Sequence, residues 1–388
     1  MNAKLLLLLI LLLSACREPI VAPTTNCNTY NSNQEHLKGA AISNLMIEYR
    51  KKGLPGMAIM IKDQEGEWIG AEGKADIDKD IDMQPCHISQ TASITKLFFA
   101  ALALKLHEEK TLDINRPVSE YLPSEITQKI ENAEQITLYM LLNHSSGLYN
   151  HSTDRSFYLD ILNNPTKRWK AKELMEYVYD HPSRFPPGTN VSYSNSNTLL
   201  ASLVVDYATG VKHGKLLRDK ILDPLRLNDT FYPFHDNLPE HGVAQGYFDL
   251  YNNGKIVNIS NYNTGIGNGY NGLHSTVIDL HTFLEALLIN KTVLSQESLD
   301  IMLEINPIKS NDTRFGVGVI EDFLDRRDPL EYGIGHGGRD LAYTGELFYF
   351  PEKNVSFSLL MNYGNDTYSR LNPIYLDFRR RLVNLLME

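Results

Sequence analysis

Cysteine is scarce in this chain: only Cys16, Cys27 and Cys86 among 388 residues. Three cannot build a disulfide scaffold. Basic charge is also short, with Lys+Arg 37 against Asp+Glu 47 and a formal net charge of -10. Without a long Lys/Arg run, nucleic acid is a poor partner. No apolar run reaches the ~20 residues that a membrane-spanning helix needs. H-E-x-x-H and G-x-S-x-G are both absent, which removes the helix-borne zinc motif and the nucleophile elbow. G-x-G-x-x-G occurs at Gly267–Gly272 and Gly333–Gly338. Neither follows a parallel strand or opens a helix with an acid ~20 residues on, so neither reads as a dinucleotide site. His235, Asp236 and His241 cluster loosely in a loop, and no metal is expected there. What remains is a chain with 43% hydrophobic and 22% charged residues, able to bury a real core.

The N-terminus reads as an address. Lys4 precedes an apolar run of nine residues, Leu5 to Leu13, followed by Ser14-Ala15-Cys16. A positive n-region, short h-region and small-residue cleavage site fit an export signal over residues 1–15. Leu13-Ser14-Ala15-Cys16 resembles a bacterial lipoprotein signal, in which Cys16 is lipidated and becomes the mature N-terminus. Ordinary secretion with cleavage near Ala15 is the competing reading. Residues 16–35 lack apolar periodicity and read as a lipidated Cys and flexible tether. The expected location is the cell envelope, anchored to a membrane on its periplasmic or extracellular side. There Cys27 and Cys86 either pair or stay as separate thiols.

Residues 36–388 read as one catalytic domain. Segments Gly56–Lys62 and Glu67–Gly73 around a polar Asp63–Glu65 turn predict a β-hairpin. From Ser93 to Glu109 the apolar residues Leu97, Phe98, Phe99, Leu102, Leu104 and Leu106 leave little polar face, which predicts a buried helix. Helical patterns recur at Ile136–Leu142, Lys172–Tyr179, Leu199–Tyr207, Val277–Leu288 and Gln296–Leu303. Strands are predicted at Gly316–Ile320, Glu346–Phe350 and Val355–Met361, with a final helix over Pro373–Leu386. Strands at both ends and helices between predict an α/β (α+β) fold. Its antiparallel sheet is built from both termini, with a helical lobe inserted in the middle.

Three segments carry candidate chemistry. In Ser93-Ile94-Thr95-Lys96, residues three apart share a helix face. The Lys can activate the Ser hydroxyl if burial lowers its pKa. A helix N-terminus also offers N–H donors where an oxyanion would form. In Tyr193-Ser194-Asn195, the phenol can serve as general base if a neighbouring ammonium lowers it. Y-x-N recurs at Tyr251 and Tyr363; the first sits in an Asn-Gly turn and the second follows the last strand. In His336-Gly337-Gly338, the Gly pair lets backbone approach a ligand.

Taken in order, these segments resemble the β-lactamase-related serine hydrolases: class C β-lactamases, DD-peptidases, D-aminopeptidases and family VIII esterases. The stretch Leu141-Leu142-Asn143-His144-Ser145-Ser146-Gly147-Leu148 is similar to the family's LLxHxSGL segment. Pro224–Thr230 resembles its PLGMxxT segment and Gly272–Thr276 its GLxST segment. The resemblance implies a two-lobed β-lactamase/transpeptidase-like fold. It implies Ser93 as nucleophile, Lys96 as activator, Tyr193 as general base and Asn195 as the residue orienting Lys96 and substrate. His336 would stand where the family carries the Lys of K-T-G, and the N–H groups of Ser93 and of Arg339, just past Gly338, would form the oxyanion hole. Catalysis would need neither metal nor organic cofactor.

No K-T-G or K-S-G exists here, which weakens the case for carboxylate-bearing β-lactams. The expected function is therefore acyl-enzyme hydrolysis of an ester or small amide or peptide. The alternatives are β-lactamase activity, or a non-turnover sensor of cell-wall fragments. His336, with an ordinary pKa of ~6.5, is expected to titrate during turnover. Loops Tyr149–Trp169 and Phe231–Ile259 are expected to cover the cleft.

Overall fold

The computed structural model describes residues 21, 24–27, 35–237, 239, 242–308, 314–322, 332–365 and 369–388. Strands β1 (Gly56–Asp63), β2 (Gly66–Asp76), β3 (Ile81–Asp82), β4 (Arg314–Phe315), β5 (Ile320–Asp322), β6 (Gly333–Arg339), β7 (Thr344–Phe350) and β8 (Val355–Met361) form one sheet. Its order is β3-β2-β1-β8-β7-β6-β5-β4, antiparallel throughout. The seam between the two chain ends is β1 against β8, with Met57 opposite Met361 and Ile59 opposite Leu359.

Period-two alternation sorts the side chains of β1 between two cores. Met57, Ile59 and Ile61 face helices α1 (Gly39–Lys51) and α6 (Asn372–Met387) through Leu45, Tyr49, Phe378 and Leu382. Ala58 faces the larger core of the inserted lobe. That lobe is centred on α2 (Thr95–Glu108), whose residues from Thr95 to Leu104 are all buried. Helices α3 (Asn195–Thr209), α4 (Val277–Leu284) and α5 (Gln296–Leu303) pack around it.

Three departures from the sequence pattern have physical causes. Of the predicted strand Gly316–Ile320, residues 316–319 form the hairpin turn between β4 and β5 and only Ile320 is in a strand. Gly316 N donates to Val319 O, and Gly318 turns with φ +72° directly against Ala100 of α2. Strand β6 was hidden by its composition, Gly-Ile-Gly-His-Gly-Gly-Arg, because β propensity reads poorly through glycine. Helix α1 has the spacing Ile42, Leu45, Met46, Tyr49 but no side-chain cap to announce it.

The segment expected as a tether is docked where it is described. Val21 packs with Ile88, Val243 and Ile266, and Thr24 Oγ1 donates to Val243 O at 2.7 Å. Cys27 and Cys86 are joined by a disulfide. Closing so long a loop contributes at most about 4 kcal/mol. Cys16, His241 and the export segment lie outside the described residues.

Candidate active site

The turn before α2 sets the site. Thr91 N and Oγ1 both donate to Leu273 O, and Thr95 Oγ1 bonds Ala92 O while accepting from Leu273 N. Ala92 takes φ +49°, a left-handed conformation that an L residue adopts only when its surroundings hold it. Ser93 thus projects from a pinned turn. From the sheet side, β6 closes on the same turn. A Cβ on Gly338 would lie 2.2 Å from Thr91 O and 3.1 Å from Ser93 N. Only glycine lets the strand come so near.

One helical turn on, Lys96 is 2% exposed. Its Nζ lies 3.1 Å from Ser93 Oγ, 2.8 Å from Asn195 Oδ1 and 2.8 Å from the Tyr270 carbonyl oxygen. Asn195, first residue of α3, is held in turn: its N donates to Asn150 Oδ1 and its Nδ2 to Ser152 Oγ. Tyr193 Oη reaches Ser93 Oγ at 2.8 Å, and the phenol ring packs against His144 with centroids 4.6 Å apart. The structure therefore brings Ser93, Lys96, Tyr193 and Asn195 into one hydrogen-bonded group. His336 stands on β6, its ring 6.4 Å from that of Tyr193.

The electrostatics differ from the sequence expectation in two places. Burial drives the Lys96 amine well below its ordinary range, against a weaker opposing pull from the Asp340 charge. Burial pushes the Tyr193 phenol up, against weaker lowering by its hydrogen bond with Ser93 and by the Arg339 charge. His336 is lowered to about 3 by burial, with the Lys96 charge adding to the effect. Its Nδ1 donates to Gly337 O at 2.6 Å, a contact that pulls weakly the other way.

A cavity of about 480 Å³ opens beside Ser93, walled by Phe157, Tyr158, Ile161, Leu341, Asp340 and Asn365, among others. A second compartment of about 340 Å³ meets it at Ser93, Tyr193, Asn195 and Arg339, and contains His336, Asp322, Glu346 and Arg379. The Tyr149–Trp169 loop does supply lining residues, but Phe231–Ile259 supplies none; Thr264, Tyr270 and Asn271 replace it. That replacement comes from the glycine-rich stretch rejected as a nucleotide motif. Positive φ at Gly265, Gly267, Gly269 and Gly272 bends it so that the Tyr270 carbonyl reaches Lys96. A backbone acceptor leaves no side-chain signature, so this partner was not legible. His144 was legible only as part of a family segment. Among the described residues no cluster of His, Cys, Asp or Glu could hold a metal.

Comparisons with known proteins bear on the family and the fold. The family model described as Beta-lactamase matches residues 40–378. D-alanyl-D-alanine-carboxypeptidase/endopeptidase AmpH of Escherichia coli (strain K12) is 26% identical over 322 residues, covering 78% of each chain. The D-stereospecific amidohydrolase from Streptomyces sp. superposes with a TM-score of 0.73 at 27% identity, over 84% of this chain and 94% of that one. D-amino acid amidase from Ochrobactrum anthropi SV3, complexed with D-phenylalanine, gives 0.75 at 23% identity, over 89% and 98%. This last likeness speaks for the fold alone.

Proposed function

The chain belongs to the Beta-lactamase family, and we propose that Ser93 is its nucleophile, Lys96 the base and Tyr193 the proton carrier. It is a serine hydrolase working through an acyl-enzyme. One observation carries the assignment of the base. Two of the three groups around Lys96 Nζ, Asn195 Oδ1 and Tyr270 O, can only accept hydrogen bonds. A neutral amine gives both its protons to them, and its lone pair is left facing Ser93 Oγ. Tyr193 then donates to the same oxygen from the other side.

In the reaction, Ser93 Oγ attacks the carbonyl carbon while its proton passes to Lys96. The tetrahedral intermediate collapses as the leaving group takes a proton from Tyr193, which Lys96 replenishes. Water then attacks the acyl-enzyme by the reverse relay, releasing the acid and restoring Ser93. Asn195 holds Lys96 in place. Backbone N–H groups at Ser93 and Arg339, beside the Gly338 approach, stabilise the oxyanion. The substrate is an ester or a small amide or peptide. The peptidase and amidohydrolase names among the relatives support this range, and a neutral His336 offers no fixed cation for a β-lactam carboxylate.

We also propose that residues 1–15 are removed, that Cys16 is lipidated, and that residues 36–388 form the catalytic domain on the outer side of a membrane. The sequence Leu13-Ser14-Ala15-Cys16 and a disulfide suited to an oxidising compartment support this. Among the described residues no helix is long and apolar enough to cross a membrane. Metabolic labelling with palmitate should tag the wild type and not Cys16→Ala. For the site, a fluorophosphonate probe should label the wild type and leave Ser93→Ala unlabelled. Equal labelling of both would overturn the assignment.

A further inference from the structure

The glycine-rich stretch that lends Thr264, Tyr270 and Asn271 to the Ser93 cavity lends Ile266, Gly267 and Asn268 to a different one, of about 580 Å³. Buried Trp169, Leu203 and Ile266 give this second cavity an apolar floor. Its lip carries Tyr207 and Val211, from the end of α3 and just beyond, together with Phe234. These are three of the nine large apolar side chains exposed among the described residues, and they meet at one opening. Exposed apolar residues scattered singly need no explanation, but a cluster rimmed by polar groups marks a contact. Phe234 also holds φ +71°, a left-handed backbone that a bulky residue adopts only at a cost.

Cations stand beside these rings. Residues 167–172 read Lys-Arg-Trp-Lys-Ala-Lys, four cations in six positions, in a chain of net charge -10. The Arg168 guanidinium lies 4.9 Å from the Phe234 ring centroid, and the Lys172 ammonium 5.5 Å from that of Tyr207. Lys170 and Lys212 line the same cavity. Lys167 and Lys212 are paired, with Glu173 and Asp206, whereas Lys170 and Lys172 have no carboxylate within bridging distance among the described residues. The N-terminal segment also arrives at this wall: Val21 packs on Ile266. Five residues of chain reach at most about 18 Å, so Cys16 lies no farther than that from Val21 whatever path the chain takes.

We infer that this face docks on a bilayer surface bearing anionic lipids. Arg168, Lys170 and Lys172 meet the phosphates, and Phe234, Tyr207 and Val211 enter the headgroup region. Aromatic rings favour that depth, and long cationic side chains extend from it to the phosphates. A small soluble anion would leave the apolar lip uncovered, and an uncharged apolar surface would leave the cations unmatched. Anionic lipid answers both, and a lipid on Cys16 puts it within reach. The inference rests on the membrane location proposed above and goes beyond it, naming which face of the catalytic domain turns to the lipid. Because one glycine-rich stretch borders both cavities, docking holds the Ser93 cavity close to the bilayer.

The test takes the chain from residue 17 on, which keeps every described residue and carries no lipid. It is sedimented with vesicles of phosphatidylglycerol mixed with phosphatidylcholine, and of phosphatidylcholine alone. The wild type should bind the anionic vesicles and let go as salt is raised. Lys170→Gln combined with Lys172→Gln should weaken binding roughly 25-fold, about 5-fold for each charge removed near an anionic surface. Phe234→Asn, which suits the left-handed backbone, should weaken it about 10-fold through lost apolar contact. Melting curves that overlap the wild type's show that both variants fold. No binding by the wild type, equal binding by the double variant, or equal binding to neutral vesicles overturns the inference. So does a dimer that Phe234→Asn splits into monomers, which would assign the face to a second copy of this chain. Palmitate labelling reads the anchor separately. Label on Cys16 without vesicle binding refutes this face and leaves the anchor standing; vesicle binding without label does the reverse.

Discussion

Two buried basic side chains face the smaller compartment's neighbourhood, and their surroundings are opposite. Arg379, on α6, meets Glu346 of β7 at 3.3 Å, and Tyr375 Oη donates to the same carboxylate oxygen at 2.5 Å. Lys96 receives a hydroxyl, an amide oxygen and a backbone carbonyl, with no carboxylate within bridging distance among the described residues. A buried cation given an anion is neutralised as a pair; one given only neutral acceptors loses its proton instead. The first arrangement ties α6 to the sheet. The second makes a base.

The sharpest way to break the contrast is to remove the base. Lys96→Met should slow acylation of Ser93 by about 10³-fold, the range expected of a general base, measured by stopped-flow with a chromogenic ester. The same variant tests the sign of the linkage. In the wild type the unfolded chain binds a proton at Lys96 that the folded chain refuses. Wild-type stability should therefore rise relative to Lys96→Met as pH climbs toward the ordinary ammonium pKa, by at most about 1.4 kcal/mol per pH unit. Denaturant titrations across pH 6 to 10 would show it.

On the paired side, Glu346→Gln should cost up to about 3 kcal/mol, because it takes the shared carboxylate charge from Arg379 and Tyr375; urea unfolding gives the value. Asn195→Asp converts the unpaired side into the paired one. An anion 2.8 Å from Nζ favours the ammonium, so acylation at pH 7 should fall roughly 10- to 100-fold and recover as pH is raised. The smallest expected effect is at His336. Its imidazole should show no protonation step by NMR between pH 5 and 8. Because its folded pKa is depressed to about 3, its contribution to stability is lost only as pH falls from the ordinary histidine value toward that point.

Much of this was readable before any coordinates. The buried character of α2 followed from its unbroken apolar residues, and β1, β2, β7 and β8 from alternation and turn chemistry. Ser93 and Lys96 were one turn apart on a helix with nowhere wet to point. What stayed hidden was either glycine or backbone. Strand β6 is four-sevenths glycine: Gly338 presses on Thr91–Ser93 and Gly335 on the backbone of Leu347, and such close approaches remove the side chains from which a strand is recognised. The acceptor that completes the Lys96 shell is a carbonyl. Asn365 belongs to a Y-x-N triplet that looked incidental, and only the packing of Gly364 against Asp340 and Leu341 brings it to the cavity. The phenol and imidazole expectations left out one factor that spacing along a chain does not reveal: burial, which pushes the Tyr193 phenol up and the His336 imidazole down.

The pairing of β1 with β8 has a consequence for synthesis. A ribosome releases the first of these strands some three hundred residues before the second, so the middle of the sheet cannot zip until β8 has emerged. Until then β1 and β2 form a hairpin with an open flank, and the cores on either side of the seam lack their last strand and helix. A polypeptide whose closure waits on so distant a segment stays threadable for the whole of that interval.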